Sequence, residues 1–233
     1  MKVAVILARG GSKRIPRKNV REFCGQPMIA WPIAAAKACG LFDRIIVSTD
    51  DKKIAKTAES QGAEVPFMRP AELADDHSGT GVVMRHAIHN LRAIGYKPDL
   101  VCCLYATAAF ITADDLTRLH AALLEKQADF AFPVLSYAYP PQCALRLDSQ
   151  QRPTMVHPEH RGDRSQDLET RYHDAGQCYW GRTEAWLEDR RIFDRHSVVE
   201  VLPRSRCEDI DTEDDWQRAE WLFRFLQHSN DRC

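Results

Sequence analysis

The chain has 233 residues and a formal net charge of −1, with 44% hydrophobic and 28% charged residues. That length carries a full core for one domain with a small appendage, and the near-neutral balance argues against a general nucleic-acid or anionic-membrane binder, which needs a basic surplus over a whole face. Apolar runs fall far below the ~18 residues of a membrane-spanning helix, Arg9 cuts off the opening MKVAVIL run before it can act as a signal segment, and eight cysteines without a CxxC pair suit reduced thiols in the cytoplasm.

Short apolar runs then alternate with helical patterns, the signature of βαβ units around a mostly parallel sheet. VAVIL (3–7) reads as a buried strand emptying into ARGGSKRIPRKN (8–19). A helix is expected over 28–39, stopped by Gly40, with Pro32 shortening or bending its first turns. RIIVST (44–49) is a second strand, DKKIAKTAESQG (51–62) a helix closed by Gly62, and EVPFM (64–68) a third strand near an edge because of Pro66. Asp50, in VSTDD (47–51), is read as facing a metal or as N-cap of that helix.

A polar loop (69–81) leads to a helix over 82–94, and DLVCCLY (99–105) is the most hydrophobic strand, expected at the sheet centre with Cys102 and Cys103 as core. Thr112 and Asp115 have capping-box spacing ahead of a helix to Lys126, and DFAFPVLSY (129–137) is the next strand. The pattern breaks over 138–172, which is polar, rich in Pro and Arg, and too long for a structureless loop inside a domain. An inserted excursion with short strands of its own is expected there, serving as a lid or dimerisation arm. Strands at GQCYWG (176–181) and SVVEVL (197–202) and a helix over 213–228 complete the chain.

The first chemical signal is the basic loop. Five of the ten side chains from Arg9 to Lys18 are cationic, and Gly10, Gly11 and Pro16 keep the segment from being a helix. Its place after a strand puts it at the carboxyl edge of a parallel sheet, where ligands bind. One reading is a solvated turn. The other is a phosphate cradle built from the Gly10 and Gly11 amides, which can take positive φ, the Ser12 hydroxyl, and the charges of Arg9, Lys13 and Lys18. The spacing matches neither a Walker A loop nor GxGxxG. Arg14 and Arg17 are read as surface.

The second signal is CEDIDTEDDW (207–216), with six carboxylates between Glu208 and Asp215. Thr212 is a good N-cap, so Glu213, Asp214 and Asp215 fall in a first helical turn, where acids suit the dipole. Asp209 and Asp211 precede the cap, two apart in an extended segment, and so point to one side. A convergent carboxylate pair suits Mg²⁺, which takes one or two protein carboxylates and completes its shell with water and phosphate. Cradle and pair together are the parts of a metal-assisted phosphoryl or nucleotidyl transfer site.

ARGGSKRIPRKN, VSTDD, RPAELADDHSGT (69–80), YATAAF (105–110), YHDAGQCYWG (172–181) and DIDTEDDW (209–216) together resemble the CMP-sialic acid synthetase family of nonulosonic-acid cytidylyltransferases, nearly end to end. YATAAF and YHDAGQCYWG look most like its pseudaminic acid branch. The resemblance implies a Rossmann-like α/β nucleotidyltransferase fold, mostly parallel, with a dimerisation excursion and a homodimer. It implies Mg²⁺ and CTP, whose α-phosphate is attacked by the anomeric hydroxyl of a nine-carbon keto-sugar acid. By motif, Arg9, Gly10, Ser12, Lys18 and Asn19 would hold the CTP phosphates and ribose region. Arg69 and the loop of Ser78 and Thr80 would meet cytosine and ribose, and Asp209 and Asp211 the metal. Tyr105, Thr107, His173, Asp174 and Gln177 would lie toward the sugar. Arg9, Lys18 and Asp211 are the expected catalytic residues, Asp211 acting as base through water. Alternatives are activation of a sialic, legionaminic or octulosonic acid, or an inactive nucleotide-binding regulator. Leu7, Pro32 and Ala109 depart from the family pattern; Leu7 and Ala109 stand where proline is usual, loosening substrate-facing loops.

Plain structural readings cover the remainder. His86 with His89, and His157 with His160, lack acidic or thiolate partners at metal-ligand spacing. Trp216, Trp221, Leu222, Phe225 and Leu226 form an apolar stripe for core or dimer packing on the last helix.

Overall fold

A computed structural model describes residues 1–75 and 78–230; Asp76 and His77, in the predicted polar loop, lie outside the described residues. β1 (Lys2–Leu7) leads through the basic loop to a small hairpin of β2 (Glu22–Phe23) and β3 (Gln26–Pro27), then to α1 (Ala30–Ala38). β4 (Arg44–Ser48), α2 (Lys52–Ser60), α3 (Thr80–Ala93), β5 (Leu100–Tyr105), α4 (Ala113–Glu125) and β6 (Phe130–Ser136) follow. The segment after β6 holds a hairpin, β7 (Leu145–Leu147) with β8 (Pro153–Met155), before β9 (Tyr172–Asp174) returns to the sheet. β10 (Cys178–Arg182), α5 (Thr183–Leu187), β11 (Ser197–Val201) and α6 (Glu213–Asn230) complete it.

The main sheet runs β11-β6-β10-β5-β1-β4, with β9 also on β6. β4, β1 and β5 are parallel, as are β6 and β11, while β10 is antiparallel to both its neighbours. This is the mostly parallel, helix-flanked α/β sheet expected. β1 is buried on both faces because alternate residues serve two cores. Ala4 and Ile6 pack with Ile33, Leu116 and Trp180, while Val3 and Val5 pack with Met84, Ile88 and Trp186.

Local signals explain most boundaries. The Asp51 carboxylate accepts the Lys53 and Ile54 N–H groups at the start of α2. Thr112 and Asp115 form the predicted capping box on α4, and Thr212 and Asp215 exchange the same bonds on α6. Gly40 and Gly62 take positive φ just past α1 and α2.

Other expectations are corrected. EVPFM is not a strand: Glu64 alone bridges to Ile46, and Pro66 has no N–H to continue a ladder. α1 begins at Ala30 and not at 28, shortened as expected, which leaves Pro32 as its third residue, where no intrahelical partner awaits its N–H and the helix runs on past it. The N-cap of α2 is Asp51, not Asp50. The apolar stripe of α6 divides: Trp216, Ala219 and Phe223 pack on Phe23 and Phe110, whereas Trp221 and Phe225 are exposed.

β9 and β10 read as one strand broken at Ala175–Gln177, opposite Pro133 of β6. Val134 pairs Asp174 and Ala131 pairs Trp180. Gly176 takes φ +61 at the break, and the Ala175 N–H reaches the Pro133 carbonyl. The break lets β10 cross to β5, and the Gln177 carbonyl accepts the Tyr105 N–H at 3.0 Å. It thereby brings the YHDAGQCYWG segment beside the carboxyl end of β5.

Candidate nucleotide-binding cleft

Leu7 pairs with Ser48 on one side and Tyr105 on the other, so the carboxyl ends of β1, β4 and β5 lie level. Above them opens a cleft of about 240 Å³, walled by the basic loop, the start of α3, the turn after β5 and Asp211. Arg9, Ser12, Lys18, Asn19, Arg69, Ser78, Thr80, Tyr105, Thr107 and Asp211 all line it. Residues far apart in sequence thus converge on one cavity. Gly10, Asp209, His173, Asp174 and Gln177 are not in its lining.

The basic loop is held by its own bonds. Arg17 has φ 58, a left-handed conformation, and its guanidinium pairs with Asp51 at 2.7 Å. Asn19 is buried and donates to the Arg9 carbonyl at 2.8 Å, which draws the loop closed. The Gly10 N–H, expected to face an anion, donates to the Asp50 carboxylate at 2.8 Å. Neither Gly10 nor Gly11 has positive φ. Gly10 is needed for a close approach instead: a Cβ there would stand 2.9 Å from the Asp51 Cβ.

Lys18 joins the two sequence signals. Its ammonium donates to the Ile210 carbonyl at 2.6 Å and stands 3.6 Å from the Asp211 carboxylate. Burial holds its pKa below the ordinary lysine value, partly offset by the Asp211 and Asp209 charges. Arg14, read from sequence as surface, also meets Asp211, at 3.1 Å, and lines the cleft. Burial, and then the Asp211 charge, push the Asp209 carboxyl above its usual range. Two neighbouring carboxylates that repel one another fit a hard divalent cation, which removes that repulsion. Among the described residues no group of three or more His, Cys, Asp or Glu side chains forms a metal cluster.

The far wall begins with Arg69, 6% exposed, whose guanidinium bonds the Ser48 hydroxyl and carbonyl. Burial lowers its pKa to about 10, which still leaves it cationic at neutral pH. Ser78 is held through its N–H to Asp75 at 2.7 Å and its hydroxyl to the Glu72 carbonyl. Thr80, the first residue of α3, shares a 2.9 Å hydrogen bond with the Tyr105 hydroxyl. Ala109 is buried and its N–H bonds the Thr107 carbonyl at 2.8 Å, a bond that proline could not make. That departure tightens the turn, contrary to the loosening expected.

His173 is exposed, with its ring on Tyr137. Asp174 accepts the Tyr179 hydroxyl, and Gln177 donates to the Arg206 carbonyl at 3.3 Å. Lys13, read into the cradle, and Leu7, read beside a substrate-facing loop, also line the cleft. Sequence reasoning missed Arg14 and Val83; for Arg14 the run of cations was the available signal, and Val83 carries none.

A mostly parallel α/β sheet with a cationic loop, a buried arginine and the Asp211 carboxylate around one cleft at its carboxyl edge has the parts of a nucleotidyltransferase. A CMP:2-keto-3-deoxy-manno-octonic acid synthetase solved in complex with CTP shares the fold, with a TM-score of 0.70 over 97% of this chain and 99% of that one, at 15% identity. The chain belongs to the cytidylyltransferase family, whose model matches residues 3–203. It is 41% identical to a pseudaminic acid cytidylyltransferase of Campylobacter jejuni subsp. jejuni serotype O:2 over 97% of this chain and 98% of the relative. To a CMP-N,N'-diacetyllegionaminic acid synthase of Legionella pneumophila it is 32% identical, over 97% and 98% respectively.

Proposed function

We propose that the protein activates a nonulosonic acid, pseudaminic acid foremost, with CTP, giving the CMP-sugar and pyrophosphate. The observation that carries this reading is the meeting of Lys18 with the Asp209–Asp211 segment, which joins a phosphate-binding charge to a metal-binding pair. The 41% identity to the Campylobacter enzyme over nearly both whole lengths supports the choice of sugar.

In this reaction the anomeric hydroxyl forms a bond to the α-phosphorus, the Pα–O–Pβ link breaks and pyrophosphate departs with the electron pair. Lys18, Arg9 and Arg14 stabilise the charge that builds on the leaving oxygens. Arg69, Ser78 and Thr80 hold the base and ribose, and the closed loop around Asn19 positions the α-phosphate for attack. Tyr105 and Thr107 face the acceptor sugar in the cleft, with His173, Asp174 and Gln177 farther out. Asp209 and Asp211 would hold Mg²⁺, which supplies charge neutralisation at the phosphates. Asp211 takes the hydroxyl proton through water.

The excursion supports a homodimer. Tyr139, Leu145, Leu147 and Val156 are exposed on it, and Val199 and Val201 on the edge strand β11, apolar side chains that a second copy of the chain would cover. No helix among the described residues is long and apolar enough to cross a membrane, and CTP as substrate suits a cytoplasmic enzyme.

The test is pyrophosphate release from CTP and Mg²⁺ with a panel of nonulosonic acids. Release with pseudaminic acid is expected. Release with a sialic or legionaminic acid alone would move the sugar assignment, and none with any sugar would refute the activity. An Asp211→Asn enzyme with unaltered turnover at saturating Mg²⁺ would remove Asp211 as base.

A further inference from the structure

α4 and α6 start with the same capping box, yet the two boxes sit in different surroundings. On α6, Asp215 returns the Thr212 bond from a partly exposed position. On α4, Asp115 does the same for Thr112 with 0% exposure. A carboxylate needs no burial to cap a helix, and burying one is costly unless its charge is paired. Two arginines pair Asp115: Arg118 Nη2 donates to Oδ1 at 2.6 Å, and Arg206 Nη2 donates to Oδ2.

The two arginines differ in what they carry. Arg118 belongs to α4 itself, three residues after Asp115, and also reaches Glu200 of β11. Arg206 comes from ninety-one residues along the chain and lies three residues before Asp209. The Arg206 carbonyl accepts the Gln177 Nε2 at 3.3 Å, and the Cys207 thiol donates to the Ala175 carbonyl at 3.1 Å. Both acceptor and donor flank the strand break, where the Gln177 carbonyl is tied to the Tyr105 N–H. At the other end, the Ile210 carbonyl accepts Lys18 at 2.6 Å and the Asp211 N–H donates to Asp215 at 3.1 Å. The carboxylates of Asp209 and Asp211 therefore project from a short arch pinned at both feet. Neither Asp115 nor Arg206 lines the cleft, so each acts on it only through this arch.

We propose that Arg206, locked on the buried Asp115, is a positioning residue that fixes one foot of the arch so that Asp209 and Asp211 converge on a single divalent cation. Mg²⁺ demands near-ideal geometry at short distances, so a carboxylate displaced with its backbone loses affinity steeply. The proposal rests on reading that pair as the metal site.

CTP without an acceptor sugar is not consumed, so calorimetry can read the metal's contribution as the ratio of CTP dissociation constants without and with saturating Mg²⁺. In the wild type Mg²⁺ should tighten CTP by roughly tenfold or more, and Asp211→Asn should lose that gain. Arg206→Gln should lose most of it, with its metal-free constant within about twofold of the wild type. Arg118→Gln takes the other arginine from the same carboxylate without touching the arch. It should lower Tm yet leave the ratio within about twofold, a split that a merely structural role for Asp115 would not give. Asp115→Asn keeps an acceptor oxygen for the cap but releases Arg206. It should repeat the Arg206→Gln result, which keeps the test open should Arg206→Gln not fold, and Arg206→Lys, which retains the charge on Asp115, should recover part of the gain. A native ratio in Arg206→Gln or Asp115→Asn, or an Arg118→Gln protein that loses as much as they do, would overturn the proposal while leaving the metal pair standing. A wild type whose CTP affinity ignores Mg²⁺ would remove the pair as the metal site, and the proposal with it.

Discussion

Gly10→Ala is the sharpest test of how the basic loop is built. The new methyl would stand 2.9 Å from Asp51 Cβ and 2.9 Å from its carboxylate oxygen. The oxygen can swing away, but the Cβ is fixed to the backbone at the start of α2. Either the loop or the helix start must therefore move. Displacing Asp51 forfeits its N-cap bonds to Lys53 and Ile54, about 1 kcal/mol. It also forfeits the Arg17 pair, worth at most about 1 kcal/mol because Arg17 is 42% exposed. The expected loss is ~1–2 kcal/mol, which lowers Tm by roughly 2–8 °C in a chain of this size, together with weaker CTP binding as the loop shifts. Thermal unfolding and calorimetry measure both. Asp51→Gly removes the offending Cβ while keeping a tolerable N-cap, so the Gly10→Ala/Asp51→Gly double variant should be no less stable than Asp51→Gly alone. A Gly10→Ala protein with unchanged Tm, or a double variant whose losses simply add, would show that the close approach is not what demands glycine.

The remaining predictions concern the ends of the cleft and the sheet. Lys18→Met should weaken CTP binding roughly 10- to 100-fold, the value of a charged hydrogen bond, while far-UV circular dichroism stays native; near-normal affinity would remove Lys18 from the phosphate site. The Arg17 hydrogen bond holds the Asp51 carboxyl below its usual range, so its contribution to stability is present above the ordinary value of about 4 and lost as pH falls through the folded one. Asp51→Asn should flatten the acid limb of a Tm-against-pH curve below about pH 4, and an unchanged slope would contradict this. Gly181→Ala would drive a methyl against Trp186 and to 2.7 Å from a Phe130 ring carbon. Overpacking of that kind costs ~1–3 kcal/mol, seen as a lowered denaturant midpoint with the m-value unchanged; wild-type stability would mean that the two rings repack freely.

Residues whose chemistry is local are legible in the sequence. Thr112 with Asp115 and Thr212 with Asp215 cap their helices through bonds three residues apart, and Gly40 and Gly62 close theirs by φ alone. Sequence reasoning fails where a local rule meets a distant partner. Pro66 follows one bridging residue and leaves no ladder. The Gly10 amide is suited by its neighbours to an anion, yet Asp50, forty residues on, accepts it. Arg14 reads as surface because Asp211 lies almost two hundred residues away. Trp221 and Phe225 share the apolar period of α6 with Trp216, but period alone does not say where a stripe ends.

Taken alone, then, the order of residues determined the alternation of strands and helices, the cationic loop after β1, the carboxylate pair ahead of α6 and the likeness to a cytidylyltransferase. Those features depend on neighbours within a few positions, where periodicity and hydrogen-bonding geometry leave few choices. Only the tertiary structure decided which cations face the cleft, that Lys18 reaches the Ile210 carbonyl, and that the broken strand at Gly176 sets Tyr179 behind Tyr105. Each of these is a contact between segments far apart along the chain. Such contacts are set by strand order and by a break in a ladder, for which a single sequence carries no local signal.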